Sequence, residues 1–368
     1  MSLASGGTIL RATLGSALGL LLVVQTLRSA LRVFVVPRAV PDPLARAVFL
    51  LLRALFDYRA ARIPTYRARD QLMAWYAPTC LLLLLLVWLL AVLTGYLLLF
   101  WAIGVRSLPA AFTLSGSSLL TLGFATAQGL PQIALAFSEA ILGLILVALL
   151  IAYLPTMYAA FARREAAVAL LEVYAGAPPS AVELLLRFYR IHGLERLREQ
   201  WVTWESWFVD LDESHTTLAP LVFFRSPQAH RSWITAAGTV LDAAALTVTV
   251  LDRPRDPQAE LCLRAGYLAL QHIAAFFRIG YPPAAPVPEQ AISITRAEFD
   301  AAYARLAAEG LPLTADREAA WQAFAGWRVT YDTVLLGLVR LTMAPPAVWS
   351  SDRIGEPTRR TGKSGRGG

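Results

Sequence analysis

Three long apolar runs set the strongest limit on what this chain can fold into. They lie at residues 10–35, 73–103 and 132–161. A helix of about 20 apolar residues crosses the hydrocarbon core of a bilayer, so each run is long enough to span it. Composition agrees, because 57% of the residues are hydrophobic and only 16% are charged. We therefore expect an all-α membrane protein, with residues 1–37 as an N-terminal transmembrane helix and two further spans.

The arginines indicate how these spans are oriented. The link at 38–72 carries seven arginines against three aspartates, whereas the link between the second and third runs carries only Arg106. Loops rich in Lys and Arg stay in the cytoplasm, so the first link is expected inside and the N-terminus outside. A net charge of +7 could indicate a protein that binds nucleic acid, but the placement of the arginines favours membrane topology as its explanation. A cleaved signal peptide is the competing interpretation of the first run. We expect a multi-pass protein of the inner (plasma) membrane.

The first link also contains an amphipathic stretch at 45–62. Arginines occupy one side of its helical period, and Phe and Leu occupy the other. This pattern is typical of a helix lying on the inner leaflet, with the bilayer as its partner. A helix packed against the cytoplasmic domain fits the same pattern.

An uncharged, broken segment separates the second and third runs. Pro109 and Pro131 each suit the first turn of a helix, which predicts a short helix over 109–120. The following residues are apolar but interrupted by Gly123. Non-helical backbone is tolerated at membrane depth only inside protein or beside water. The sequence therefore predicts a re-entrant helix and an extended return segment at 121–125, whose carbonyl oxygens could replace the water shell of a cation.

This order of elements resembles the pore module of potassium-type cation channels, whose filter reads T-V-G-Y-G. The resemblance implies an outer helix at 73–103, an inner helix at 132–161, and a permeant monovalent cation, K⁺. Ala125 stands where the second filter glycine belongs, and an alanine reaches left-handed backbone only at a cost of about 1 kcal/mol or more. Thr126 replaces the aspartate that usually follows. The filter residues implied by the resemblance are Thr121, Leu122, Gly123, Phe124 and Ala125.

Two residues of the third run extend the resemblance. Gly143 stands near the usual position of a gating hinge, although close helix packing explains a glycine equally well. Glu139 is the only acidic residue within 71–164, and buried intramembrane acids usually have a function and a partner. We expect Glu139 to brace the filter through Ser117, Ser118 or filter amides. A hydrated or neutral residue near the headgroups is the alternative.

Residues 163–350 predict a helical cytoplasmic domain. Trp201, Trp204 and Trp207 share one helical face, which indicates packing in a core, with an aromatic ligand box as the alternative. Thr295 and Glu298 fit a capping box. The proline-rich stretch at 281–290 predicts an extended connection, and the basic residues 351–368 predict a disordered tail. The motifs at 162–165, 223–227, 232–233 and 241–246, which follow a single pore module, together resemble a group of uncharacterised bacterial proteins described as ion channels.

Catalytic chemistry finds little support in the sequence. Its four histidines lack metal-ligand spacing, and no glycine-rich nucleotide fingerprint follows a strand. An acidic cluster predicts a solvated helix end, with a divalent-ion site as the alternative. We expect no enzyme activity, no resident metal and no cofactor. The cluster contains Asp210, Asp212, Glu213 and His215.

One pore loop per chain predicts a homotetramer, since four copies would complete a ring. The leading hypothesis is a tetrameric passive cation channel, gated through the inner helix and the cytoplasmic domain, whose own ligand or partner the sequence does not identify. A non-conducting membrane scaffold or sensor derived from a pore-loop protein is the alternative. A membrane-anchored enzyme built on the acidic cluster is a third hypothesis.

Overall fold

A computed structural model describes residues 2–36, 42–280 and 292–353, with side chains from residue 12 onward. Every regular element in these ranges is a helix, and none is a strand. The protein is therefore all-α, as predicted. The predicted connection at 281–290 and residues 354–368 of the predicted tail lie outside the described residues.

The chain forms two compact units, Met1–Ala160 and Phe161–Gly368, and their boundary falls inside one long helix. Three helical stretches are long and apolar enough to cross a membrane: Ala12–Phe34, Tyr66–Ala102 and Gly129–Ala175. The first unit contains α1 (Ser2–Phe34), α2 (Pro43–Ala60), α3 (Tyr66–Ala74), α4 (Tyr76–Ala102), α5 (Leu108–Leu119) and the first part of α6 (Gly129–Ala175).

The third apolar helix is longer than the sequence suggested. We predicted an inner helix at 132–161, but α6 begins at Gly129 and continues to Ala175. Residues 162–175 are mostly Ala, Glu, Leu and Arg, which are strong helix formers. The helix ends where Gly176 adopts a positive φ of 79°, a conformation that glycine reaches at little cost. The C-terminal end of the predicted span therefore continues, within the same helix, into the second unit.

Glycines bring α1 close to α4. A Cβ atom on Gly19 would lie 2.6 Å from the carbonyl oxygen of Gly95, and one on Gly95 would lie 2.7 Å from Cγ2 of Val23. Gly15 and Gly19 are one helical turn apart, the spacing that allows membrane helices to approach closely. The N-terminal helix is thus packed against the second apolar helix along its length.

The second unit surrounds one apolar helix. It contains α7 (Ala181–Ile191), α8 (Leu197–Thr217), α9 (Trp233–Thr249), α10 (Pro257–Phe276), α11 (Arg296–Ala308), α12 (Arg317–Arg328) and α13 (Asp332–Thr342). In α9 every residue from 233 to 247 is buried. The three tryptophans at 201, 204 and 207 are buried in the same core, which confirms their predicted packing role.

Of two local predictions for the C-terminal part of this unit, one is confirmed and one is wrong. The capping box of Thr295 and Glu298 is present, because each side chain accepts from the other residue's backbone N–H. The predicted start of the disordered tail is wrong, because Ser351–Arg353 form a 3₁₀ turn. Arg353 in this turn donates to Glu298 at 2.6 Å. The tail was predicted from its composition, which carries no information about an ion pair with a residue 55 positions earlier.

Candidate functional site

The short helix α5 lies between α4 and α6. Its N-cap, Ser107, accepts from the backbone N–H of Ala110 at 3.3 Å, and Pro109 occupies the first turn. These two residues define a helix start, because Ser satisfies a free amide and Pro has none to satisfy. A helix predicted over 109–120 is therefore observed at Leu108–Leu119.

A backbone motif ends α5 at Thr121. The amide of Leu122 donates to the carbonyl of Ser117 at 2.9 Å, and the amide of Thr121 donates to Ser118 at 3.1 Å. This pair of bonds is the Schellman arrangement, which requires left-handed backbone at the residue after the cap. Thr121 supplies it with a φ of 54°, at a cost of about 1–3 kcal/mol for a residue other than glycine. The structure thus places Thr121 in a helix cap, a role that the resemblance did not imply.

Beyond Thr121 the chain is extended and returns along α5. Gly123 has a φ of 73°, which glycine tolerates. Ser117 Oγ accepts from the amide of Ala125 at 3.1 Å and so holds the return segment against the helix. Ala125 is not among the residues with positive φ, so the cost of left-handed backbone for an alanine does not arise at this position. The side chains of Leu122 and Phe124 point outward, with 60% and 66% of their surface exposed.

The carbonyl groups of this return segment are unpaired. Among the described residues, no hydrogen-bond donor reaches the carbonyl oxygens of residues 121–125. Lipid cannot satisfy a carbonyl group, so backbone of this kind would need protein, water or an ion beside it if it lay at membrane depth.

Glu139 links three helices through Ser115. Its side chain is fully buried, and Ser115 Oγ lies 2.5 Å from Glu139 Oε1. The same hydroxyl lies 3.0 Å from the carbonyl oxygen of Leu93 on α4. Glu139 therefore contacts α5 through Ser115 and not through Ser117 or Ser118. Ser118 Oγ donates to Leu114 within its own helix, so this hydroxyl, unlike that of Ser117, does not hold the return segment.

Gly143 marks a close approach of α6 to α5. A Cβ atom at this position would lie 2.5 Å from the carbonyl oxygen of Leu119 and 3.0 Å from its Cδ1. The packing explanation of this glycine has a geometric basis, while its role as a gating hinge stays a prediction.

Replacing Gly143 with alanine is expected to destabilise the first unit by about 1–3 kcal/mol, the usual cost of an overpacked contact. Gly116→Ala is the matched control, because the nearest atom to its new methyl group would be Leu93 Cδ1 at 3.9 Å. The measurement is the midpoint of thermal unfolding of each detergent-purified protein. Equal midpoints for the two variants would contradict the close approach.

The acidic cluster of the second unit is dispersed among separate partners. Asp210 pairs with Arg163 at 3.2 Å, and Asp212 pairs with His272 at 2.7 Å. His215 is fully buried, so the predicted solvated helix end is wrong at this residue. Within the described ranges, no group of three or more His, Cys, Asp or Glu side chains could hold a metal ion.

His215 contacts Ser214 Oγ through Nδ1 at 3.1 Å and Arg164 through Nε2, and Arg164 is itself almost fully buried. Arg164 Nη1 lies 3.1 Å from His215 Nε2 and donates to the carbonyl of Leu221 at 3.0 Å. Nη2 donates to the carbonyl of Phe224 at 2.7 Å, and the guanidinium pairs with Glu165 at 2.8 Å. Burial, followed by the positive charge of Arg164, holds the pKa of His215 well below its ordinary value. The C-terminal part of α6 is thus attached to α8 and to the turn after it.

A second buried arginine, Arg328, was missed by sequence reasoning. It donates to Asp242 at 2.6 Å, to Asp332 at 2.7 Å and to the carbonyl of Trp349 at 2.6 Å. Tyr331 also donates to Asp242 at 2.8 Å. Burial opposes the charge, but Asp242, Tyr331 and Asp332 together raise the pKa of Arg328 above its ordinary value. The one signal in the sequence was Asp242, an acid within an otherwise apolar helix.

The fold and site define an all-helical protein with three helices long and apolar enough to span a membrane, and with a short helix and a non-helical segment between the second and the third. A scan of family models, a search of curated proteins and a search of solved structures each found no match to this chain.

Proposed function

We propose that four copies of this chain form a passive cation channel, in which carbonyl oxygens of residues 121–125 coordinate the permeant ion. The observation that carries the proposal is that no donor among the described residues reaches the carbonyls of 121–125, which lie on a non-helical segment between two helices long and apolar enough to cross a membrane. A ring of copies around a central axis would give these groups water and cations as partners. Transport of this kind needs neither a catalytic residue nor a cofactor.

The polarity of α5 supports a cation as the transported species. The segment at 121–125 follows directly on the C-terminal end of this helix. Free carbonyl groups give a helix C-terminus a partial negative charge, which attracts cations. Within residues 103–128, Arg106 is the only charged side chain, so this attraction is not opposed by a basic cluster. The permeant ion implied by the resemblance is K⁺.

Two polar contacts fix the positions of the segment at 121–125 and of α5. Ser117 fixes Ala125 against α5, and Glu139 fixes α5 to α6 through Ser115. We assign both residues to the support of the carbonyl row, and we assign the inner helix and the second unit to gating.

A non-conducting scaffold or sensor is the second candidate. It is favoured by Thr121, whose backbone caps α5 and whose hydroxyl donates to the carbonyl of Leu120 at 2.8 Å. A threonine that caps a helix does not present its carbonyl and hydroxyl oxygens to an ion as the extended threonine of a potassium filter does. A scaffold or sensor protein would still assemble from several copies but would not conduct ions.

Replacing Ser117 with alanine is expected to lower potassium flux about fivefold, because a hydrogen bond of about 1 kcal/mol no longer holds Ala125. Flux into liposomes containing the purified protein, driven by a potassium gradient, measures the effect. Thr113→Ala is the control, since its hydroxyl donates only to Pro109 of the same helix.

The wild-type protein decides between the two candidates. Potassium flux together with a tetrameric mass supports the channel. If flux is absent for both the wild type and Ala125→Gly, the channel proposal fails, and a tetramer without flux identifies the scaffold.

A further inference from the structure

Helix α2 uses one face to pack within the first unit. Val48 and Leu52 are buried on this face, and the Tyr76 hydroxyl at the start of α4 donates to the carbonyl of Phe49 at 3.0 Å. The rings of Phe56 and Tyr76 are 5.6 Å apart. This face is therefore occupied by the protein itself.

The opposite face of α2 is apolar and uncovered. Leu50, Leu51, Leu55 and Tyr58 are all exposed, and Leu51 exposes 72% of its surface. These residues lie on one side of the helix, together with Ala47 and Ala54. Single exposed leucines are ordinary on a protein surface, but a continuous strip indicates a binding surface.

Arginines border this strip. Arg46 and Arg59 are exposed on α2, and Arg62 is exposed two residues after it. Among the described residues, no carboxylate forms an ion pair with these three, in contrast to Arg53, which pairs with Asp57 at 2.8 Å. The guanidinium of Arg62 lies over the Tyr58 ring, 3.6 Å from its centroid. The surface thus combines an apolar centre with available positive charge.

Side chains of α1 and α4, two helices long and apolar enough to cross a membrane, hold the start of α2 in place. Asp42, its N-cap, accepts from Ser29 Oγ of α1 at 2.7 Å and from the amide of Ala45 at 2.8 Å. Trp88 of α4 donates to the same Ser29 hydroxyl at 2.9 Å. If α1 and α4 cross the bilayer, α2 lies in the link that joins them on one side of it, next to the membrane boundary.

We propose that this face of α2 docks on a leaflet that contains anionic phospholipid. The leucines enter the boundary between headgroups and acyl chains, as in other interfacial amphipathic helices. Arg46, Arg59 and Arg62 bind the phosphate groups, for which the planar guanidinium is well suited. The inference needs a membrane but does not depend on ion conduction.

A fluorescent label on Leu51→Cys tests the docking. The full-length protein is labelled with an environment-sensitive fluorophore, which the buried Cys80 and Cys262 do not capture, and is placed in phosphatidylcholine nanodiscs with phosphatidylglycerol. Blue-shifted emission that is quenched by brominated acyl chains is expected. The same label on Leu261→Cys, an exposed leucine of the second unit, should remain unquenched. Polar emission at residue 51, or a blue shift without quenching, would show water or protein on this face and overturn the proposal.

The arginines are tested separately by lipid affinity. Arg46→Gln, Arg59→Gln and Arg62→Gln combined should weaken phosphatidylglycerol binding on the order of a hundredfold, since each basic residue near an anionic surface contributes about fivefold. Native mass spectrometry of the protein titrated with phosphatidylglycerol measures this. Three ion-paired arginines of the second unit form the control triple, which should bind as the wild type does: Arg296→Gln, Arg305→Gln and Arg317→Gln. Unchanged affinity in the first triple would refute the headgroup contact. Neither measurement involves ion flux, so the docking proposal can fail or succeed independently of the channel proposal.

Discussion

Replacing Arg328 with alanine should lower the free energy of unfolding of the second unit by about 3–5 kcal/mol, the usual cost of removing one partner from a buried ion pair. Arg328 is completely buried and donates to two carboxylates and one carbonyl. Without it, Asp242 stays buried as a negative charge with only Tyr331 as a neutral donor. A loss of this size is a large fraction of the stability of a typical domain.

Chemical denaturation of the full-length protein, followed by tryptophan fluorescence, measures this loss. Arg296→Ala is the control, because Arg296 forms exposed pairs with Asp300 and Glu318, and its removal should shift the midpoint little. The double variant Arg328→Met with Asp242→Leu should recover part of the lost stability, since it removes the uncompensated charge. Equal midpoints for Arg328→Ala and Arg296→Ala would contradict the buried network.

Acidification is expected to destabilise the second unit through His215. Its pKa in the folded protein is held well below the ordinary value of 6.5 by burial and by Arg164. Below about pH 6.5 the unfolded chain binds a proton that the folded chain does not, so stability falls as pH falls. The contribution is complete above this pH. While only the unfolded state is protonated, the loss is about 1.4 kcal/mol per pH unit.

The measurement is the unfolding midpoint of the full-length protein between neutral and mildly acidic pH. His215→Gln should flatten the dependence, because glutamine does not titrate and its carbonyl can accept from Arg164. His192→Gln is the control, since His192 lies exposed at the end of α7, and it should preserve the wild-type slope. A slope that is the same in all three proteins would show that His215 does not cause it.

The candidate site was partly predictable from local sequence. Pro109 and the small residues after it predicted a short helix, because a helix start depends on a few neighbouring residues. The interruption at Gly123 predicted non-helical backbone for the same reason. The capping role of Thr121 was not predictable, since threonine is unfavourable at positive φ and only the bonds to Ser117 and Ser118 hold it there.

The partners of the buried polar groups could not be predicted from the sequence. Glu139 was expected to meet Ser117, Ser118 or filter amides, and it meets Ser115. Arg328 and Asp242 are 86 residues apart, and nothing local to either residue indicates the other. Arg164 stands beside Arg163 in the sequence, yet Arg164 is buried and Arg163 is exposed.

The sequence by itself determined the three apolar helices, the cap of α11 and the apolar character of α9. Each depends on composition or on residues within a few positions, because lipid requires a long apolar helix and a cap requires a nearby side chain. Tertiary structure decided which glycines lie at close approaches and which polar groups are buried in pairs. Those outcomes depend on which helix faces meet, and desolvation makes a buried charge favourable only where a distant partner is in place.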